Sequence, residues 1–173
     1  MALSFTVGSA KATFEGPYAH EVAGVLDNAF GAEGEWEGVA PRCFGEVCSA
    51  GWTDLRRRAI AELGEDGVPN LLAVLGEARG VYLPTHVRAV SLPLSRGKTL
   101  VCGSLPGLRT ELAELAERWD LSLKDEHLQS LLPDPDDAGG LADAPEIAAF
   151  ARLALAANEA VRRDCPLWLV GEE

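Results

Sequence analysis

Residues 99–119, "TLVCGSLPGLRTELAELAERW", constrain the fold more than any other stretch, because the hydrophobic period changes there with no linker between. "TLVCG" is a short apolar run bounded by turn residues, as in a strand. From Leu108 onward, Leu112, Leu115 and Trp119 recur at four, three and four residues, the spacing of an amphipathic helix. Glu111, Glu114 and Glu117 are then left for the water-facing side. A strand that runs directly into a helix needs a sheet for that helix to cover, so neither an all-helical nor an all-strand fold suits this chain.

The flanking sequence extends this pattern. "HVRAVSLPL" reads as a strand joined through "SRGK" to "TLVCG". With Arg96 and Gly97 as the two turn residues of a hairpin, Cys102 falls opposite Ser91. "LSFTV" alternates with Leu3, Phe5 and Val7 on one side, and "ATFEG" is the expected returning strand. Pro17 opens a helix carrying Val22, Val25, Leu26, Ala29 and Phe30, and Gly31 stops it. The glycine-rich stretch 31–51 reads as a long connection holding at most a short strand. Thr53 or a neighbour caps the next helix, and Gly67 and Pro69 open another, with Gly80 as its stop. "VYLP" reads as a strand, residues 124–132 as a short helix, and Ile147, Phe150, Ala154, Ala157 and Val161 as the stripe of a long one. "PLWLV" closes the chain as a strand apolar on both faces, hence central. The expectation is an α+β fold over residues 1–173 as a single globular domain: a mixed sheet of about four to six strands against several amphipathic helices.

At 173 residues such a domain can bury roughly 70% of its unfolded surface without staples. Hydrophobic residues at 47% and charged residues at 24% are those of a globular chain. No apolar run approaches the ~20 residues of a membrane span, and "MALSFTVGSA" lacks the basic start and apolar stretch of an export signal. The expected location is therefore the cytoplasm, with Cys43, Cys48, Cys102 and Cys165 as reduced thiols. Arginine outnumbers lysine, which occurs only as Lys11, Lys98 and Lys124, and Ala, Gly and Leu are abundant, a bias pointing to a bacterial source.

The net charge of −12 argues against nucleic acid and anionic membrane as partners, since both need a basic stripe. It fits a protein partner of opposite charge. Two acidic stretches are candidates for that contact: Glu33, Glu35 and Glu37 around Trp36, an aromatic anchor within a charged rim, and Asp134, Asp136 and Asp137.

Catalytic and metal motifs fail at their defining spacings. Six residues separate Cys102 from Arg109, one more than the phosphate loop of cysteine-dependent phosphatases carries, and Pro106 removes an amide donor. A thiol among apolar neighbours has a raised pKa and is inert. Ser104 can cap the helix after it, which leaves an anion site at Ser104 and Arg109 as the alternative. Cys43 and Cys48 lack a second close ligand pair for zinc and read as two free thiols in a glycine-rich loop, with reversible oxidation between them as the alternative. In "DPDDAGG" the position of an EF-hand's bidentate glutamate holds Pro145. His20 beside Glu21 and His127 beside Asp125 and Glu126 could each form a histidine–carboxylate pair, and Arg56, Arg57 and Arg58 spread too widely around a helix to face one ligand. No catalytic residues, cofactor or metal follow from the sequence. The expectation is a noncatalytic binding protein of the inhibitor, immunity or accessory-subunit kind with an acidic contact surface; the alternative is a small enzyme or anion-binding protein with its pocket at residues 101–109.

Overall fold

Leu3, Phe5 and Val7 are buried in β1 (Ala2–Val7), and the alternate residues are half-covered, the period-two pattern of a sheet with a dominant core face. The computed structural model describes residues 2–31, 38–74, 79–133 and 144–171. β1 lies between β2 (Arg42–Cys48) and β6 (Leu167–Gly171), antiparallel to both. β6 pairs antiparallel with β3 (Arg79–Leu83), β3 runs parallel to β5 (Thr99–Ser104), and β5 pairs antiparallel with β4 (Val90–Pro93). The six strands form one mixed sheet in the order β2-β1-β6-β3-β5-β4, and with its helices the fold is α+β. β6 is central, so Leu167, Trp168 and Leu169 are all buried whichever face they take.

The register sorts the side chains into two faces. Phe5, Val7, Leu167, Leu169 and Tyr82 share one face, under α3 (Ser49–Leu63), α4 (Pro69–Ala73), α5 (Leu105–Arg118) and α7 (Pro145–Arg163). There Phe5 meets Trp52 of α3 edge-on at 6.0 Å between ring centroids. Val81, Cys102 and Trp168 point the other way. That face meets α1 (Ala10–Thr13) and α2 (Gly16–Phe30): Phe14 sits edge-on to Trp168 at 5.0 Å, and Glu21 accepts the backbone N–H and the hydroxyl of Ser95. α6 (Asp125–Ser130) packs on α7, whose Ala-rich middle is buried from Ala149 to Ala151 and again from Leu153 to Ala157. Small side chains let several neighbours approach one helix closely, and α7 touches α3, α5, α6, β1 and β2.

Several local expectations change. "ATFEG" is no returning strand: the Ser9 hydroxyl accepts the Ala12 N–H at 3.3 Å and starts α1, while both edges of β1 are taken by β2 and β6. β1's hairpin-like partner comes from the stretch read as a connection. α3 begins at Ser49, where the Cys48 thiol accepts the Gly51 N–H at 3.3 Å, so Thr53 lies inside the helix and does not cap it. α4 ends at Ala73, and Gly80 belongs to β3.

The β4–β5 hairpin turns through three residues, Ser95–Gly97, closed by the Leu94 N–H on the Lys98 carbonyl at 2.8 Å. Every pair therefore slides by one, and Cys102 lies opposite Val90. This places Val90 and Leu92 on the face of Cys102 and Leu100, where apolar side chains can pack, and turns Ser91 and Pro93 to the other side. Arg96 and Gly97 take the left-handed backbone that the turn requires, at φ 58° and 71°.

Candidate functional site

The strand-to-helix turn between β5 and α5 stands where the parallel strands β3 and β5 end side by side, the edge at which sheets of this kind collect ligands. Its polar groups are all engaged with one another. The Ser104 hydroxyl donates to the Thr85 carbonyl and accepts the Gly107 N–H, both at 3.1 Å, and the Ser104 N–H donates to Asn70 Oδ1 at 3.0 Å. The Tyr82 hydroxyl donates to the Asn70 carbonyl at 3.0 Å. Glu111, expected to face water, is 5% exposed. Its carboxylate accepts the Asn70 N–H and side-chain amide at 2.8 Å and the Leu71 N–H at 2.7 Å.

The sequence explains this arrangement. α4 begins after Val68 and Pro69, neither of which can cap it with a side chain, so its free N–H groups need an acceptor from elsewhere. Glu111 supplies that acceptor from the second turn of α5. Burial is the largest influence on the Glu111 carboxyl and pushes it above its ordinary value, against the hydrogen bonds from Asn70 and Leu71; the charge of Glu114 adds to the rise. Burial, with the charge of Glu111, likewise raises Tyr82 well above its ordinary value. The network fastens α4 to β3, β5 and α5, with its lone pairs and protons turned inward.

Cys102 is fully buried, and desolvation pushes its thiol up to about 12; burial also takes Cys165 up to about 11. Both remain protonated near neutrality, as expected for thiols in apolar surroundings. Cys43 and Cys48 are free and exposed on β2, opposite Thr6 and Ala2. Their partners lie four positions apart on β1, a separation of about 13 Å, well over the roughly 7 Å that a disulfide can span between Cα atoms. Strand geometry thus rules out oxidation of one by the other within β2. No group of three or more His, Cys, Asp or Glu among the described residues is placed to hold a metal ion.

Arg109 is turned away from this network into a cleft of about 600 Å³ between the start of α5, residues 123–126 and the end of α7. Leu123, Lys124, Asp125, Glu126, Asn158, Val161 and Arg162 complete its lining, and Ser104 is not part of it. Asn158 donates to the Leu123 carbonyl at 2.9 Å and to Asp125 at 2.8 Å. Arg162 binds Asp125 and Glu159, each at 2.8 Å, and Arg42 reaches Glu159 at 3.1 Å. Burial pushes the Asp125 carboxyl upward, but the bonds from Asn158 and Arg162 and the nearby cations outweigh it and hold the group below its ordinary value. Glu159 is lowered chiefly by its bond to Arg162, with burial opposing and Arg42 assisting.

Neither histidine forms its expected carboxylate pair: His20 Nδ1 lies against the Gly16 carbonyl, Glu21 is bound to Ser95, and Asp125 to Asn158 and Arg162. Comparison with protein-family models, curated proteins and solved structures finds no match. Glu33, Glu35, Trp36, Glu37, Asp134, Asp136 and Asp137 lie outside the described residues.

The acidity of the chain is nonetheless visible on the described surface. Arg57 is paired with Asp54 and Arg58 with Glu146, both at 3.0 Å, and Arg58 also stacks 4.5 Å from the Trp119 ring. Arg152 donates to the Phe44 carbonyl and Arg163 to that of Ala40. With Arg42 and Arg162, six arginines are engaged within the molecule, whereas Glu62, Glu65, Asp66, Glu114, Glu117 and Asp120 are exposed. The elements carrying them are neighbours: α3 packs against α5 and the turn that follows α3, and α4 lies against both that turn and α5.

Proposed function

We propose that this chain is a noncatalytic binding protein, of the inhibitor, immunity or accessory-subunit kind, whose acidic exterior engages a basic protein partner in the cytoplasm. One observation carries the reading: the arginines named above are each paired with the chain's own carboxylates and carbonyls, while carboxylates of α3, α5 and the turn after α3 remain exposed on a chain of net charge −12. Such a surface steers a cationic partner and discriminates against anionic ones. The reading is also supported by Ser104, Glu111 and Cys102, the groups with most catalytic potential at the sheet edge, being engaged in folding. The acidic stretches with Glu33, Glu35 and Glu37 flanking Trp36 and with Asp134, Asp136 and Asp137 are part of the same charge surplus in the sequence.

The test is capture of partners by the immobilised chain from its host's extract at low salt, elution with salt, and affinity measurement on the eluted protein. A stoichiometric basic protein is expected, with binding at least tenfold weaker for Glu114→Lys/Glu117→Lys or for Glu35→Lys/Glu37→Lys. The reading is overturned if salt releases no such protein or if both charge-reversed variants bind as the parent does.

A further inference from the structure

We propose that the cleft between α5, residues 123–126 and α7 binds a small organic oxyanion, a carboxylate or phosphate monoester carried on a short apolar group. This goes beyond the acidic-surface reading and does not depend on it. The volume, about 600 Å³, is that of sites that take small molecules. Three cations line it against two carboxylates, on a chain that is otherwise strongly acidic.

The cations differ in what they are free to do. Arg162 is held by Asp125 and Glu159 and belongs to the wall. Arg109 and Lys124 have no carboxylate partner among the described residues, although acidic groups abound nearby. A guanidinium offers a two-pronged donor edge and an ammonium a compact charge, a combination suited to one oxyanion. Asn158 has both amide hydrogens committed to Leu123 and Asp125, so its orientation is fixed and its carbonyl oxygen is left as an acceptor.

The apolar half of the ligand follows from Val161. It is 41% exposed, unusual for a large aliphatic side chain on this surface, and shares the lining with half-buried Leu123. An isolated inorganic anion would leave that surface wet, whereas an oxyanion with a short hydrocarbon or ring would cover it. Glu126, on the same lining, disfavours a second negative charge at the rim and accepts a hydroxyl or amine there.

The full chain is titrated with phenyl phosphate, benzoate and inorganic phosphate, following the Val161 methyl and Asn158 side-chain amide resonances. Phenyl phosphate or benzoate should shift both saturably, at least tenfold more tightly than inorganic phosphate, and the tighter of the two identifies the oxyanion. Arg109→Ala and Lys124→Ala should each weaken binding about tenfold with unchanged melting, since neither side chain bonds within the described structure. Glu114→Lys/Glu117→Lys, which tests the other surface, should retain binding. The absence of a saturable shift at about 10 mM ligand, the limit of weak specific binding, overturns the proposal. So does undiminished affinity in Arg109→Ala, or equal affinity for inorganic phosphate.

Discussion

Glu111 shows how one side chain can join two helices that are far apart in sequence. Its carboxylate accepts three N–H groups at the start of α4, which has no side-chain cap of its own. Glu111→Ala would leave those donors buried without acceptors and should lower stability to urea by about 2–4 kcal/mol; a loss below about 1 kcal/mol would mean that water replaces the carboxylate. The pH dependence has a definite sign. A carboxyl raised on folding binds protons as the chain folds, so its contribution is complete below the ordinary value of 4.5 and declines as pH rises through the raised folded value. Glu111→Gln, which cannot ionise, should abolish that decline. The sequence did carry a signal for this burial: at 100° per residue Glu111 lies about 40° from Leu115 around the helix, whereas Glu114 lies about 100° away. What the helix alone could not show is that a second helix starts against that point.

At the scale of elements, the packing of α4 onto the sheet depends on glycines. A Cβ on Gly80 would collide with the Val74 side chain, and one on Gly103 would press on the Tyr82 ring. Val74 is β-branched and has little rotamer freedom with which to withdraw. Gly80→Ala should therefore cost about 1–3 kcal/mol, and adding Val74→Ala should return part of that loss. A double-mutant cycle by urea unfolding measures the coupling, and a single variant as stable as the parent would show that the end of α4 can shift freely. The β4–β5 hairpin makes a related point. A two-residue turn satisfies the local sequence, yet the three-residue turn is adopted because it brings Leu92 opposite buried Leu100, where Leu92 is half-buried. The apolar pattern of both strands outweighs local turn preference.

For the whole molecule, charge sets the response to solvent. A chain of net charge −12 repels itself, so raising salt from about 0.01 to 0.5 M should raise the melting temperature by a few degrees. A fall over that range would mean that the ion pairs of Arg42, Arg58 and Arg162 outweigh the surplus. Acid acts in the opposite direction on those pairs. Asp125 and Glu159 have lowered folded pKa values, so their contribution is present above the ordinary carboxylate range and is lost as pH falls through the folded values. Asp125 and Glu159 weaken the fold toward acid and Glu111 toward higher pH, giving a stability maximum between the two limits.

By itself the sequence determined the α+β class, the amphipathic helices around Leu108–Trp119 and Ile147–Val161, the central final strand and the placing of Cys102 among apolar neighbours. These are short-range consequences of hydrophobic period and of helix-capping and turn residues, carried by neighbours within a few positions. Only the tertiary structure decided that β2 and β6 flank β1, that Glu111 is a cap, that Cys43 and Cys48 are out of each other's reach, and that Arg109 opens onto a cleft with Lys124 and Asn158. Each of these depends on which distant segments meet, and that is set by burying the apolar faces together, a condition no single segment contains.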